Sequence, residues 1–147
     1  GCYTCLKTAK CHLEGDDFQP TYQKMREADA IIIGSPVYIS SVVPQLLALL
    51  DKAAMVARGD GALFTGKVGG PITVARRAGH NMAFAELLLW FFMNDFIIVG
   101  SDYWTVGMAG RRGARDAAQD AEGLEHISYF ARNMVRVLRR LKEPGGP

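Results

Sequence analysis

Beyond residue 11 this chain of 147 residues contains no cysteine, and the three it has, Cys2, Cys5 and Cys11, are an odd number crowded at one end. That argues against a secreted scaffold stapled by disulfides, and a reducing, cytoplasmic setting is expected. No apolar run is long: Leu87 to Met93 stops at Asn94-Asp95, well short of the ~20 residues that a bilayer-spanning helix needs. Neither sign of charge dominates, the net charge being +2, so neither nucleic acid nor a membrane surface is expected as a partner. No internal repeat, low-complexity tract or linker divides the chain, and no signal peptide or adenine-nucleotide fingerprint is visible.

What is present is an ordinary globular composition, with 49% apolar and 22% charged residues, enough for one hydrophobic core. One domain over residues 1–147 is expected, with 143–147 as a frayed tail. Helical and extended patterns alternate. Phe18 to Ala28 predicts a short helix, and Asp29-Ala-Ile-Ile-Ile-Gly34 a strand buried on both faces. Ser41 is an expected N-cap, with Pro44 in the first turn of a helix that runs to about Arg58. Lys67 to Ala75 predicts a second buried strand, Asn81 the cap of a third helix through about Asn94, and Phe96 to Gly100 a third strand. A long final helix is expected to open at Asp116, with Leu124, Ile127, Ala131, Met134, Leu138 and Leu141 as its apolar stripe. Strands alternating with helices imply parallel pairing through right-handed crossovers. Three strands make a thin sheet, so the chain is expected to be one or two strands short.

In an open parallel sheet, ligands bind beyond the carboxyl ends of the strands. Two segments occupy such ends. Gly34-Ser-Pro-Val-Tyr-Ile-Ser-Ser41 offers a sharp turn, backbone amides and an aromatic side chain to a flat ligand. Ala75-Arg-Arg-Ala-Gly-His80 is a short basic loop leading into a helix N-terminus, suited to an electron-rich or anionic edge. Together they suit a planar heterocycle that gains negative charge on reduction.

Ile31-Ile-Ile-Gly-Ser-Pro-Val-Tyr38, the glycine-bearing loop from Arg76 to His80, and Gly100-Ser-Asp-Tyr-Trp104 occur in this order with family-like separations. In these motifs the chain resembles the NADPH-dependent FMN reductase and iron–sulfur flavoprotein group of the flavodoxin-like superfamily, from about Cys2 to Leu141. The resemblance implies a doubly wound, three-layer α/β/α fold with sheet order 2-1-3-4-5. It implies FMN as cofactor, NADPH as electron donor, and a flavin, quinone or other small molecule as acceptor. It also implies a homodimer or homotetramer with the site between subunits. Carried over residue by residue, the flavin ring is expected to touch Ser35, Pro36, Val37, Tyr38 and Ile39, and its pyrimidine edge Arg76, Arg77, Ala78 and Gly79. No catalytic side chain is required, because the cofactor carries the chemistry; His80 is read as a helix-start residue. Family members begin with a strand and a Ser/Thr-rich, glycine-containing phosphate loop that has no counterpart here. The cysteines match the last three of the family's run of four, so the N-terminal portion is expected to be missing.

A four-iron cluster needs four thiolates, and with three the reading preferred for Cys2, Cys5 and Cys11 is buried or reactive thiols. Zinc held by these three and His12 would have adjacent final ligands, which strains a tetrahedron. The run Leu87 to Met93, with Tyr103 and Trp104, is expected to make a subunit interface. Arg132, Arg136, Arg139, Arg140 and Lys142 form a solvated helix end. Two rival functions stand beside the flavin oxidoreductase: an iron–sulfur or metal-binding electron-transfer protein, and a truncated flavodoxin-like domain that binds nothing.

Overall fold

The computed structural model describes residues 2–111 and 116–143; of the tail expected at 143–147, residues 144–147 lie outside them. Five strands form one sheet: β1 (Ala30–Tyr38), β2 (Ser41–Val42), β3 (Val68–Ala75), β4 (Ile97–Ile98) and β5 (Val106–Met108). A single turn α1 (Cys5–Thr8) precedes α2 (Phe18–Glu27), α3 (Pro44–Gly59) and α4 (His80–Met93), and α5 (Ala121–Lys142) closes the chain. Strands β1, β3, β4 and β5 are parallel; β2 folds back antiparallel on the end of β1.

The apolar strands lie where the pattern predicts them. Ile31 and Ile33 of β1 pack with Leu50, Ala53 and Val56 of α3 and Ala83, Leu87 and Phe91 of α4 in the larger core. A smaller core on the opposite face joins Val68 and Val99 to Phe130 and Met134 of α5. Gly69 and Gly70 thin β3 between them. A Cβ at Gly69 would lie 2.5 Å from the Phe91 ring, and one at Gly70 would lie 2.8 Å from the Phe130 ring. Aromatic rings therefore rest on the β3 backbone from both sides, which no larger residue would permit.

Several expectations are corrected. β1 is covered on one face only: Ile31, Ile33 and Ser35 are buried, but Ile32 is 45% exposed and Gly34 and Pro36 face outward. The reason is that α5 packs chiefly over β3 and β5, and of β1 only Ala30 lies against that smaller core. Ser41 belongs to β2 and the cap of α3 is Val43, while α4 is capped by Gly79 and begins one residue before Asn81. Asp116 opens only a 3-10 turn; α5 is capped by Asp120, whose side chain accepts from the Gly123 amide. On α5 the buried residues are Gly123, Phe130 and Met134, while Leu124 and Leu141, at 43% and 49%, are exposed.

The third strand is divided, and proline explains where. Ile97 N donates to the Lys67 carbonyl, Val99 N to Gly69, and Thr73 N to Thr105, so alternate residues of this segment turn their polar groups to this edge. Pro71 falls next in that series and has no N–H to offer. The neighbouring chain leaves the sheet after Val99 and returns at Thr105, whose buried hydroxyl donates to the Pro71 carbonyl at 2.5 Å. The excursion carries Ser101, Asp102, Tyr103 and Trp104.

Candidate functional site

Parallel pairing in the register Ser35↔Thr73 and Pro36↔Val74 brings the carboxyl ends of β1 and β3 to the same end of the sheet. β1 turns through Ile39-Ser40 into β2, and β3 gives way to Arg76–Gly79. The two turns touch. Gly79 has φ +91°, and a Cβ there would lie 2.9 Å from Val37 Cγ1 and 3.1 Å from Ser40 Cα. Only glycine meets both the left-handed backbone and the close approach.

The expected site residues divide by what their side chains do. Tyr38 and Ile39, at 63% and 99% exposure, stand on the surface as an apolar wall, with Pro36 exposed beside them. Arg76, Arg77 and Ala78 are exposed across the junction, and Val37 and Gly79 form its half-buried seam. Ser35 points the other way: its buried hydroxyl donates to the Pro36 carbonyl at 2.7 Å and accepts from Val43 N at 3.2 Å. Its side chain ties the loop down from below. Among the described residues, no backbone carbonyl accepts from the amides of Ile39, Ser40, Arg76, Arg77, Ala78 or Gly79. The four amides of Arg76 to Gly79 lie at the start of α4, the positive end of its dipole.

Three contributors, Glu86, β5 and Asp120, escaped the sequence reading. Glu86 of α4 accepts from Val42 N at 3.0 Å and from Ser41 Oγ at 3.1 Å, holding the β1–β2 hairpin. Its signal was a lone carboxylate within an apolar helix. β5 adds a third strand end beside Arg76, where Ala109 N donates to the Ala75 carbonyl at 2.9 Å. Asp120 secures that end by accepting from Met108 N at 2.7 Å, and the Met108 and Gly123 amides hold its carboxyl below the usual carboxylate range. His80 is buried and its Nε2–H donates to the Gly107 carbonyl at 3.1 Å, fastening the start of α4 to β5.

Residues 3–111 match the model of the NADPH-dependent FMN reductases. The chain belongs to that family. An iron–sulfur flavoprotein of Methanocaldococcus jannaschii is 30% identical over 148 residues, covering 97% of this chain and 75% of the relative. Another from Methanosarcina thermophila is 29% identical over 144 residues, covering 97% and 72%. Among solved structures, a WrbA-like flavodoxin from Agrobacterium tumefaciens superposes with a TM-score of 0.65 at 22% identity, over 84% of this chain and 74% of that one. RosB, solved with 8-demethyl-8-formylriboflavin-5'-phosphate bound, superposes with a TM-score of 0.69 at 20% identity, over 88% and 54%. The flavodoxin-like, three-layer α/β/α architecture is therefore shared, and a family of flavin oxidoreductases is the one to which this member belongs. No described helix is long and apolar enough to cross a membrane.

The cysteines form a second locality on the far side of α3. Cys2, Cys5 and Cys11 line one cleft of about 760 Å³ with Arg58, Trp90 and Met93. Gly59 lets α1 dock there, because a Cβ on it would fall 2.1 Å from the Cys5 carbonyl oxygen. Hydrogen bonds from the Thr4 backbone and side chain lower the Cys2 thiol from its ordinary value. Sulfur donors suit an iron–sulfur cluster, but among the described residues no group of three or more His, Cys, Asp or Glu side chains is placed to hold a metal ion. As placed, these residues do not fit a four-thiolate cluster. The apolar run Leu87 to Met93 is only half absorbed by the core: Leu87 and Phe91 are fully buried, whereas Leu89, Phe92 and Met93 are 67%, 76% and 67% exposed.

Proposed function

We propose that the chain binds the ring of FMN where the β1 and β3 turns meet, and passes electrons from a reduced nicotinamide, NADPH, through it to a small acceptor such as a flavin or quinone. The observation that carries this reading is the junction at Gly79, where two turns whose amides have no backbone partner among the described residues abut next to an exposed apolar wall. The donor set fits the ring. Tyr38 and Ile39 supply a surface for a flat face, with Pro36 and Val37 behind them. The amides of Arg76 to Gly79, the two guanidinium groups and the start of α4 supply donors and positive charge for an acceptor-rich edge. Ser35 acts from below, through the loop it ties.

When bound, FMN supplies the hydride and electron chemistry, so the protein needs no acid or base of its own. Its part is to bind, to orient and to favour a ring that gains negative charge. His80 has no role in proton transfer on this reading, since its ring is committed to the Gly107 carbonyl. The exposed apolar side chains of α4, with Tyr103 and Trp104, support assembly into a dimer or tetramer.

The test is thermal. A ligand that binds only the native state at a hundred times its Kd stabilises it by about 2.7 kcal/mol. For a domain of this size that raises the melting temperature by roughly 5–10 °C. A melting temperature that does not move with saturating FMN, in a protein showing no bound-flavin absorbance, refutes the proposal and leaves a flavodoxin-like domain that binds nothing.

A further inference from the structure

We propose that Glu86 is a positioning residue of the flavin site, holding the Tyr38–Ser41 turn in the shape that presents its apolar wall; the inference rests on the reading of that junction as the ring site. The turn needs outside support. It is a two-residue connection whose central residues, Ile39 and Ser40, have φ of 52° and 62°. Hairpins of that shape are ordinarily made with Asn-Gly or Asp-Gly, and a β-branched residue in left-handed backbone is strained. The ladder beside it is only two residue pairs long, Val37↔Val42 and Tyr38↔Ser41. Strain of this kind persists only where the surroundings over-determine it.

Glu86 provides that constraint. One carboxylate oxygen, Oε2, accepts from both Val42 N at 3.0 Å and Ser41 Oγ at 3.1 Å. The helix that carries it starts at the Gly79 junction, and Glu86 lies about two turns further along. The hairpin is thus fixed to α4 at two points, by contact at Gly79 and by hydrogen bonds at Glu86. Between them stand Tyr38 and Ile39, whose side chains are exposed. An acceptor at this place is what the geometry requires, not a charge as such.

The experiment compares the wild type with Glu86→Gln, Glu86→Ala and Ser41→Ala. Three readouts are used: amide hydrogen exchange at Val42 without flavin, FMN affinity by fluorescence quenching, and the visible circular dichroism of bound FMN. Glu86→Ala is expected to speed Val42 exchange and to weaken FMN binding by roughly tenfold or more, with an altered dichroic band. Glu86→Gln keeps an oxygen acceptor and is expected to stay close to wild type in all three. Ser41→Ala removes one bond of the two and is expected to fall between; it decides the matter should Glu86→Ala not fold. Unchanged Val42 exchange or unchanged FMN affinity in Glu86→Ala overturns the inference, as does a Glu86→Gln variant as impaired as Glu86→Ala. A wild type that does not bind FMN refutes the site reading instead, while the exchange data still judge the clamp.

Discussion

Replacing Gly79 by alanine tests whether the β1 and β3 turns must touch. At φ +91° a side chain is disfavoured, and left-handed backbone costs an L-residue about 1–2 kcal/mol. The new methyl would also stand 2.9 Å from Val37 Cγ1 and 3.1 Å from Ser40 Cα, inside the ~3.5–4.0 Å of ordinary carbon contacts. Overpacking of that degree costs about 1–3 kcal/mol. The sum, about 2–5 kcal/mol, corresponds to a melting temperature lower by roughly 5–15 °C. Gly61→Ala is the control: φ is +68° there and nothing lies within 4 Å of the added carbon, so only the backbone term should appear. Melting followed by circular dichroism, paired with FMN titration, separates the two. Gly79→Ala should melt below Gly61→Ala and bind FMN roughly tenfold more weakly. The reasoning fails if the two variants melt alike, or if Gly79→Ala binds FMN as the wild type does.

Two further outcomes follow from other parts of the molecule. His126 Nδ1 lies 3.0 Å from Asp102 Oδ1, with Glu122 at 3.8 Å from the other ring nitrogen; the Asp102 hydrogen bond raises the imidazole from its ordinary value and its partner carboxyl is held down in return. A raised histidine stabilises below its unfolded value of about 6.5 and stops doing so as pH rises through the folded value. The depressed Asp102 contributes above about pH 4 and is lost as pH falls through its folded value. The melting temperature of the wild type should therefore exceed that of Asp102→Asn most clearly between about pH 5 and pH 6, and the gap should close towards about pH 8; a gap independent of pH disproves the pairing. Thr105→Val should cost about 1–3 kcal/mol by leaving the buried Pro71 carbonyl unpaired, while Thr105→Ser should recover most of it; an unaltered melting temperature for Thr105→Val shows that the bond contributes nothing.

Much of the fold could be read from residue order because its main elements depend on short-range pattern. Ile31 to Ile33 are continuous and apolar, and Val68 to Ala75 nearly so, which marks both as strands although β1 is covered on one face only. Pro44 marks a helix start by its own covalent geometry. What escaped depended on partners distant in the chain. Ser41 has the chemistry of a cap, but its hydroxyl is drawn to Glu86, 45 residues away. β5 is three residues long, Val106-Gly-Met108, too short for any periodicity to register. The Ile39-Ser40 turn contains neither glycine nor asparagine, so no local signal announced a hairpin. Of the candidate site, Tyr38, Ile39 and Arg76 to Gly79 were placed by family resemblance and stand together here. The direction in which Ser35 points could not be read from a linear motif.

The proline at position 71 has a consequence for what happens outside the molecule. Because its missing amide divides the neighbouring strand, the free margin of the sheet beside β3 consists of a two-residue and a three-residue piece, with a loop standing between them. A foreign strand that tried to zip onto this border would find too few consecutive rungs to hold it, and templated aggregation from this side is blunted before any surface charge is called upon.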